Sequence, residues 1–546
     1  MKNSLLYLIL SFVLILSACY SGSQPEIKAP VASTHLGEIH FKTTGAEEAK
    51  PFFEKGLLLL HSFEYEDARE EFLKAQEIDS TFAMAFWGEA MTYHHSLWQK
   101  QEQDKGLAAL NKLAPTTEAR LAYVKTDLEK DFLKAIENLF GEGTKYERDL
   151  AYKNQMEQLT AKYPENHEVA AFYAISLLGA SRNGRDEELY GKSARIAQGI
   201  IKENPNHPGA LHYLIHSYDD PEHAHMAKAA ADKYSKVAPD AAHALHMPSH
   251  IYVALGSWNN VVESNIASWN ASVKRLEKKN IKGKDKSYHA LNWLQYGFLE
   301  RGEVESATML LQRMKNYATE TSTKVARSYL VAMKGAHLVE TNDWTSEWAN
   351  IEVAIEDLNL TKKAGYYFIE GMKAYHQKDK EQLNAMIKEI KTDRDVAKFN
   401  LGDKGFSMCS TAGFANKPPN QLDVDMVHIM EMELMAYLAT LNGDKKTAAQ
   451  LFEEATTLDE DLKYSFGPPL ILKPVHEAYG EWLLENNQVE KALTVFDQSL
   501  NRYPRRLRSL KGKKAAAALL NKENVVAAVE EELTISLSKK ERAGIL

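Results

Sequence analysis

Small residues and one aromatic recur at fixed offsets along this chain, and that recurrence limits the fold more than any other feature. Gly56 is followed by Ala68, Phe72 and Ala75 at offsets of 12, 16 and 19. Ala436 is followed at the same offsets by Ala448, Phe452 and Ala455. Gly480 is followed by Ala492, Phe496 and Ser499, then by Pro504 at an offset of 24. Ile215 is followed by Ala227, Ala231, Tyr234 and Pro239 at all four offsets. Small residues let two antiparallel helices approach, the aromatic fills the gap beside them, and the proline ends the second helix. No stretch sustains the period-2 alternation of β-branched residues that a half-buried sheet needs. The expected fold class is all-α: a superhelical solenoid of antiparallel helix hairpins.

The pattern resembles the tetratricopeptide repeat. Pro205 and Pro239 stand 34 residues apart, and Pro164 and Pro205 stand 41 apart, one repeat plus an extension. Residues 287–314 fit more loosely through Ala307, Leu311 and Met314, and 320–394 is helical in pattern but a poor match. About ten hairpins are expected. The strings FAMAFWGEAMTYHHSLW (82–98), ALHYLIHSYDDPEHA (210–224), HALHMPSHIYVALGSW (243–258) and FGPPLILKPVHEAYGEWLL (466–484) together resemble one group of exported bacterial repeat lipoproteins. That resemblance implies the fold and export; it implies no reaction.

The N-terminus reads as a targeting segment. Lys2 precedes an apolar run, Leu5 to Leu16, that is short for a membrane span. It ends in Leu16-Ser17-Ala18-Cys19, which resembles a lipobox, so Cys19 is the expected lipidation site and 1–18 the signal peptide. The chain is then expected to be exported and lipid-anchored at the bacterial cell envelope, periplasmic or outer-membrane associated. Residues 19–44 read as a tether, 45–160 as N-terminal repeats, 161–320 as central repeats, 321–430 as a divergent helical region with a long loop, and 431–546 as C-terminal repeats. The net charge of -9 gives no reason to expect nucleic acid as a partner. A peptide or protein partner is expected, because solenoids commonly serve as extended binding surfaces.

The central repeats carry the chemistry. Eight of the 19 histidines fall between His207 and His250. His212 and His216 are repeated 34 residues on by His246 and His250. Ile215 and Ser249 hold the same slot in successive hairpins, so the two HxxxH pairs occupy equivalent positions. Residues four apart stand one turn above each other, and neighbouring helices lie roughly 8–10 Å apart between axes. Four imidazoles can therefore converge on one point. Ligation of a transition metal (Zn, Cu, Fe or Ni) through these four is expected, with His243, His289, Asp219 and Asp220 as possible additions. The carboxylates can also act behind the ligands, fixing an imidazole tautomer. His243 and His289 share an offset of minus six from the slot residues Ser249 and Gln295. His94 and His95, at four and five after Ala90, and Asn292 and Tyr296 are expected to line the same groove. Pro248 either kinks this helix or opens a new one, giving His246 and His250 non-standard relative geometry.

No other catalytic signature competes. Both pairs lack the glutamate of HExxH, and neither GxSxG, a phosphate-binding loop nor a dinucleotide glycine pattern occurs. No residue is assigned a catalytic role. Cys409 stands unaccompanied within 400–423, the longest non-helical stretch. The basic run Arg502, Arg505, Arg506, Arg508, Lys511, Lys513 and Lys514 reads as a solvated helix face. Two function classes remain: a binding scaffold at the envelope with a metal-binding histidine cluster in its groove, or a metal-dependent hydrolase or oxidoreductase built on the solenoid.

Overall fold

Hairpin follows hairpin from Lys50 to Ser536 in the computed structural model of the chain. It describes residues 35–181, 184–281, 287–401, 419–464 and 466–537. The expected signal peptide, the expected lipidation site Cys19, Cys409 and most of the 400–423 loop lie outside the described residues. Within them no helix is long and apolar enough to cross a membrane.

The first hairpin pairs Lys50–His61 with Tyr65–Ile78, the fifth Pro208–Ser217 with Ala224–Val237, and the seventh Tyr288–Glu300 with Val304–Thr321. Strand is confined, among the described residues, to a two-residue ribbon, His94–His95 against Lys100–Gln101. The helix Lys324–Thr341 breaks the rhythm. A short 3-10 turn, Glu347–Asn350, follows it in place of a second long helix.

The recurrent glycines pack on the aromatics that their spacing predicts, and Phe72 and Phe496 each serve two hairpins. A Cβ on Gly56 would stand 2.8 Å from the ring of Phe72, and one on Gly88, in the next hairpin, 2.4 Å. Phe496 bears the same relation to Gly480, at 2.8 Å, and to Gly512, at 2.2 Å. Gly88 and Gly512 each stand 32 residues after the slot glycine of the hairpin before, Gly56 and Gly480, and Ala90 is buried two residues beyond Gly88. Its helix ends at Met91, so His94 and His95 sit on the ribbon beyond it, and an offset counted along a helix does not place them.

The solenoid closes on itself. Arg275 and Lys279, at the end of Trp258–Lys279, pair with Asp67 of the first hairpin. At the other end Trp258 donates its indole N–H to the Arg505 carbonyl at 2.9 Å. Arg506 is fully buried among Glu300, Glu340 and Glu477. The basic run is therefore not a uniformly solvated face: its central arginine fastens the C-terminal hairpins to the middle of the chain.

A candidate metal centre between the central hairpins

The helix Pro208–Ser217 starts on a proline whose missing N–H costs nothing in a first turn. Its N-cap is His207, whose Nδ1 accepts from the Ala210 amide at 3.1 Å. Every residue of this helix is buried, because the first hairpin covers it: the Phe63 ring lies 4.3 Å from that of His212. The next hairpin opens with Ala242–His246, turns at Met247 and resumes as Pro248–Ala254. Pro248 thus opens a new helix rather than bending one. The break rotates rings more than it separates them. The rings of His212 and His216 meet at 40° and 4.8 Å, those of His246 and His250 at 79° and 5.1 Å.

In both pairs the Nε2 atoms face each other, at 3.1 Å for His212 and His216 and at 3.2 Å for His246 and His250. The four do not meet at one point. Each pair gains a third histidine instead, and the ligand nitrogens of each group lie within 4.8 Å of one another. His243 joins His212 and His216; His289 joins His246 and His250. The histidine at offset minus six in one hairpin completes the pair of the hairpin before it.

Hydrogen bonds fix which nitrogens carry protons. His212 Nδ1 donates to the His61 carbonyl at 2.8 Å. His250 Nδ1 donates to Asp219 Oδ2 at 2.5 Å. His246 Nδ1 donates to Asn265 Oδ1 at 2.7 Å, and the Asn265 amide is oriented by its own donation to the Val261 carbonyl at 2.8 Å. A neutral imidazole has one N–H and one lone pair. The Nε2 lone pairs of His246 and His250 therefore point at each other, a repulsive arrangement unless a positive charge lies between them. Two ligands bonded at about 2.0–2.1 Å in tetrahedral or trigonal geometry stand about 3.3 to 3.6 Å apart, so a few tenths of an ångström of spreading fits either pair to an ion.

The other members are under-partnered too. His216 Nδ1, His243 Nε2, His289 Nε2 and Asp219 Oδ1 have no hydrogen-bond partner among the described residues. Burial, reinforced by neighbouring imidazoles, holds His212, His216, His243, His246 and His289 well below the usual histidine range, in the neutral ligand form. Burial also pushes the Asp219 carboxyl up, against the pull of His250. Aromatic walls exclude water: Trp293 and Phe466 lie 4.5 and 5.3 Å from the His250 ring. His243 alone of the six is partly exposed.

A third cluster of ligand-type residues, His61, Glu168 and His207, has a different character. His61 Nε2 and His207 Nε2 approach the two Glu168 oxygens at 2.7 and 3.1 Å, and His61 Nδ1 meets the Tyr213 hydroxyl at 2.9 Å. Every ring nitrogen is engaged. The two histidines hold the Glu168 carboxyl below its usual range in spite of burial. This is a closed hydrogen-bond network with no lone pair to offer.

The remaining candidates lie elsewhere. Asp220 pairs with Arg185 at 3.0 Å and accepts from the His223 amide at 2.9 Å, a turn-closing role. His94 is buried beside Gln101, and His95 stacks on Tyr65 at 4.0 Å. Asn292 is half-buried, and the Tyr296 hydroxyl accepts from Arg506 at 2.8 Å. Asn265 and the His61 carbonyl, which fix two tautomers, were not legible in the sequence, because neither recurs in the 34-residue register.

No protein-family model matches the sequence, and no curated protein matches it. Solved structures do align along most of its length. Yeast Tom70 shares 12% identity at a TM-score of 0.30, covering 89% of this chain and 99% of that one. The APC/C hetero-tetramer Cut9-Hcn1 shares 14% at 0.34, covering 88% and 78%. The P58(IPK) TPR domain shares 11% at 0.19, covering 87% and 99%. The fold is an all-α solenoid of antiparallel helix hairpins.

Proposed function

We propose that this chain is an exported, lipid-anchored helical scaffold that holds a transition metal in a buried histidine chamber. One observation carries the reading: His246 and His250 turn bare Nε2 lone pairs on each other at 3.2 Å while Asn265 and Asp219 hold their Nδ1 protons outward. Backing of this kind orients imidazole ligands and raises their basicity. His289 supplies a third ligand, and a bound ion would neutralise Asp219 and offset the burial that raises its carboxyl. All-imidazole ligation suits Zn, Cu, Fe or Ni.

The scaffold role belongs to the outer surface, since the chain's own N-terminal hairpin covers the histidine helix. A cleft of about 740 Å³ between the fourth hairpin and the C-terminal ones, with Arg185, Lys463, Tyr464 and Arg502 on its walls, is where a peptide partner would sit.

Elemental analysis of the purified full chain tests the metal reading. Bound metal near stoichiometry, lost from a His246→Ala, His250→Ala double variant, is expected. Protein that stays metal-free after incubation with each of Zn, Cu, Fe and Ni would overturn it.

A further inference from the structure

The second triad makes the chamber more than a single site. His212, His216 and His243 repeat the arrangement of His246, His250 and His289 one hairpin earlier. The two triads adjoin: the rings of His216 and His250 lie 5.6 Å apart at 70°, and those of His243 and His246 lie 6.2 Å apart. The first triad has its own unsatisfied atoms, His216 Nδ1 and His243 Nε2. It also has its own tautomer lock, the His61 carbonyl on His212.

Charge then limits what the pair of triads can take. Six neutral imidazoles add no negative charge. Among the described residues two carboxylates are bonded to members of the six: Asp219 to the His250 ring, and Glu64 to the His243 backbone amide at 2.9 Å. Two divalent ions would bring four positive charges into a chamber walled by Phe63, Trp293 and Phe466, against those two carboxylates. Charge buried without a counter-charge is strongly disfavoured. Two monovalent ions match the two carboxylates. Of the metals that imidazole favours, copper is the one with an ordinary monovalent state, and three nitrogen ligands satisfy Cu(I) without a fourth.

Resting on the metal reading above, we propose that the chamber binds a pair of Cu(I) ions, one in each triad, and that the partly exposed His243 is the point at which copper enters.

The test is a count of ions on the full chain. The protein is loaded anaerobically with Cu(I) or with Zn(II), freed of loosely held ion by gel filtration, and analysed for metal per chain. Two coppers are expected, falling to one in His289→Gln and to one in His243→Gln, with zinc limited to one. As loaded, wild type and variants alike should be silent in electron paramagnetic resonance and show the X-ray absorption edge of Cu(I). One copper per chain, two zincs taken as readily as two coppers, or a Cu(II) signal accounting for both ions would overturn the pair while leaving a mononuclear site standing. Failure to bind any ion would instead overturn the reading beneath it. Should either variant lose its helical far-ultraviolet spectrum, the wild-type count and edge decide.

Discussion

His250 and Asp219 carry the sharpest dependence at the scale of single residues. The carboxylate takes the Nδ1 proton at 2.5 Å and leaves Nε2 free for an ion. Asp219→Asn removes the charge and can present an amide N–H where an acceptor is needed. The expected result is metal affinity lower by about 10–100-fold, read by competition with a chromophoric chelator; unchanged affinity would mean that Asp219 plays no part. Glu168→Gln is the contrasting change. It weakens two charge-assisted bonds in the closed network of His61 and His207, so stability should fall by about 1–3 kcal/mol with metal content unchanged. A denaturant titration and elemental analysis together check this. At this scale the sequence revealed the residues that recur. The 34-residue register found both HxxxH pairs, and the shared offset of His243 and His289 was visible beside it. It could not show that these two would divide the pairs into separate triads, since that depends on how far each hairpin rotates past the last. Nor could it show Asn265, which reaches His246 from the hairpin's second helix.

At the scale of elements, the packing of each helix against the next turns on a few glycines. Gly88 lets the second hairpin settle on Phe72, where an added Cβ would stand 2.4 Å from the ring. Gly88→Ala should therefore cost about 1–3 kcal/mol as the ring or helix shifts. Gly199 lies within Glu187–Glu203, and the place an alanine methyl would occupy there has nothing within 4 Å. There the same substitution should stabilise by about 0.5–1 kcal/mol, because alanine loses less backbone freedom in a helix. Denaturation midpoints of opposite sign are the expected outcome, and matching signs would refute the packing argument. The hairpins were legible because this contact repeats: Gly56 and Gly480 announce it through their aromatics sixteen residues later. The contact with the next hairpin repeats as well: Gly88 and Gly512 each lie sixteen residues after the aromatic they meet. The division of the helix at Met247 was one of two readings that Pro248 allowed, and steric preference at a first turn decided it.

The whole molecule depends on contacts that no periodicity foretells, those that bring both ends of the solenoid onto its middle. Arg506 stands at the centre, bonded to Glu477 at 2.8 and 3.0 Å, Glu340 at 2.5 Å and Glu300 at 3.2 Å. One guanidinium cannot balance three buried carboxylates, and the acids divide accordingly. Burial works against Glu477, yet Arg506, Lys473 and Arg508 hold its carboxyl below the usual range. Burial, with Glu340 beside it, pushes Glu300 up to about 8 from an ordinary 4.5. Between those two values the folded protein binds a proton at Glu300 that the unfolded chain has released. Stability from this group is therefore full below 4.5 and is lost as pH rises through 8. Glu477 has the opposite sign: its contribution is present above the ordinary carboxyl range and is lost on acidification. The docking of the C-terminal hairpins should be firmest where the two limbs meet, near the ordinary carboxyl value of about 4.5. Midpoints of urea unfolding should fall from pH 6 to pH 9, and Glu300→Gln, neutral at every pH, should flatten that limb while sparing the acid one. Arg506→Met should cost about 3–5 kcal/mol, since it leaves Glu477 buried without its main counter-charge. The loss should also loosen the segment that carries Phe466 onto His250. Metal bound in the chamber should then exchange with a chelator faster in that variant, and faster in the parent at pH 9 than at pH 6. Exchange rates indifferent to both changes would mean that closure of the solenoid does not seal the chamber.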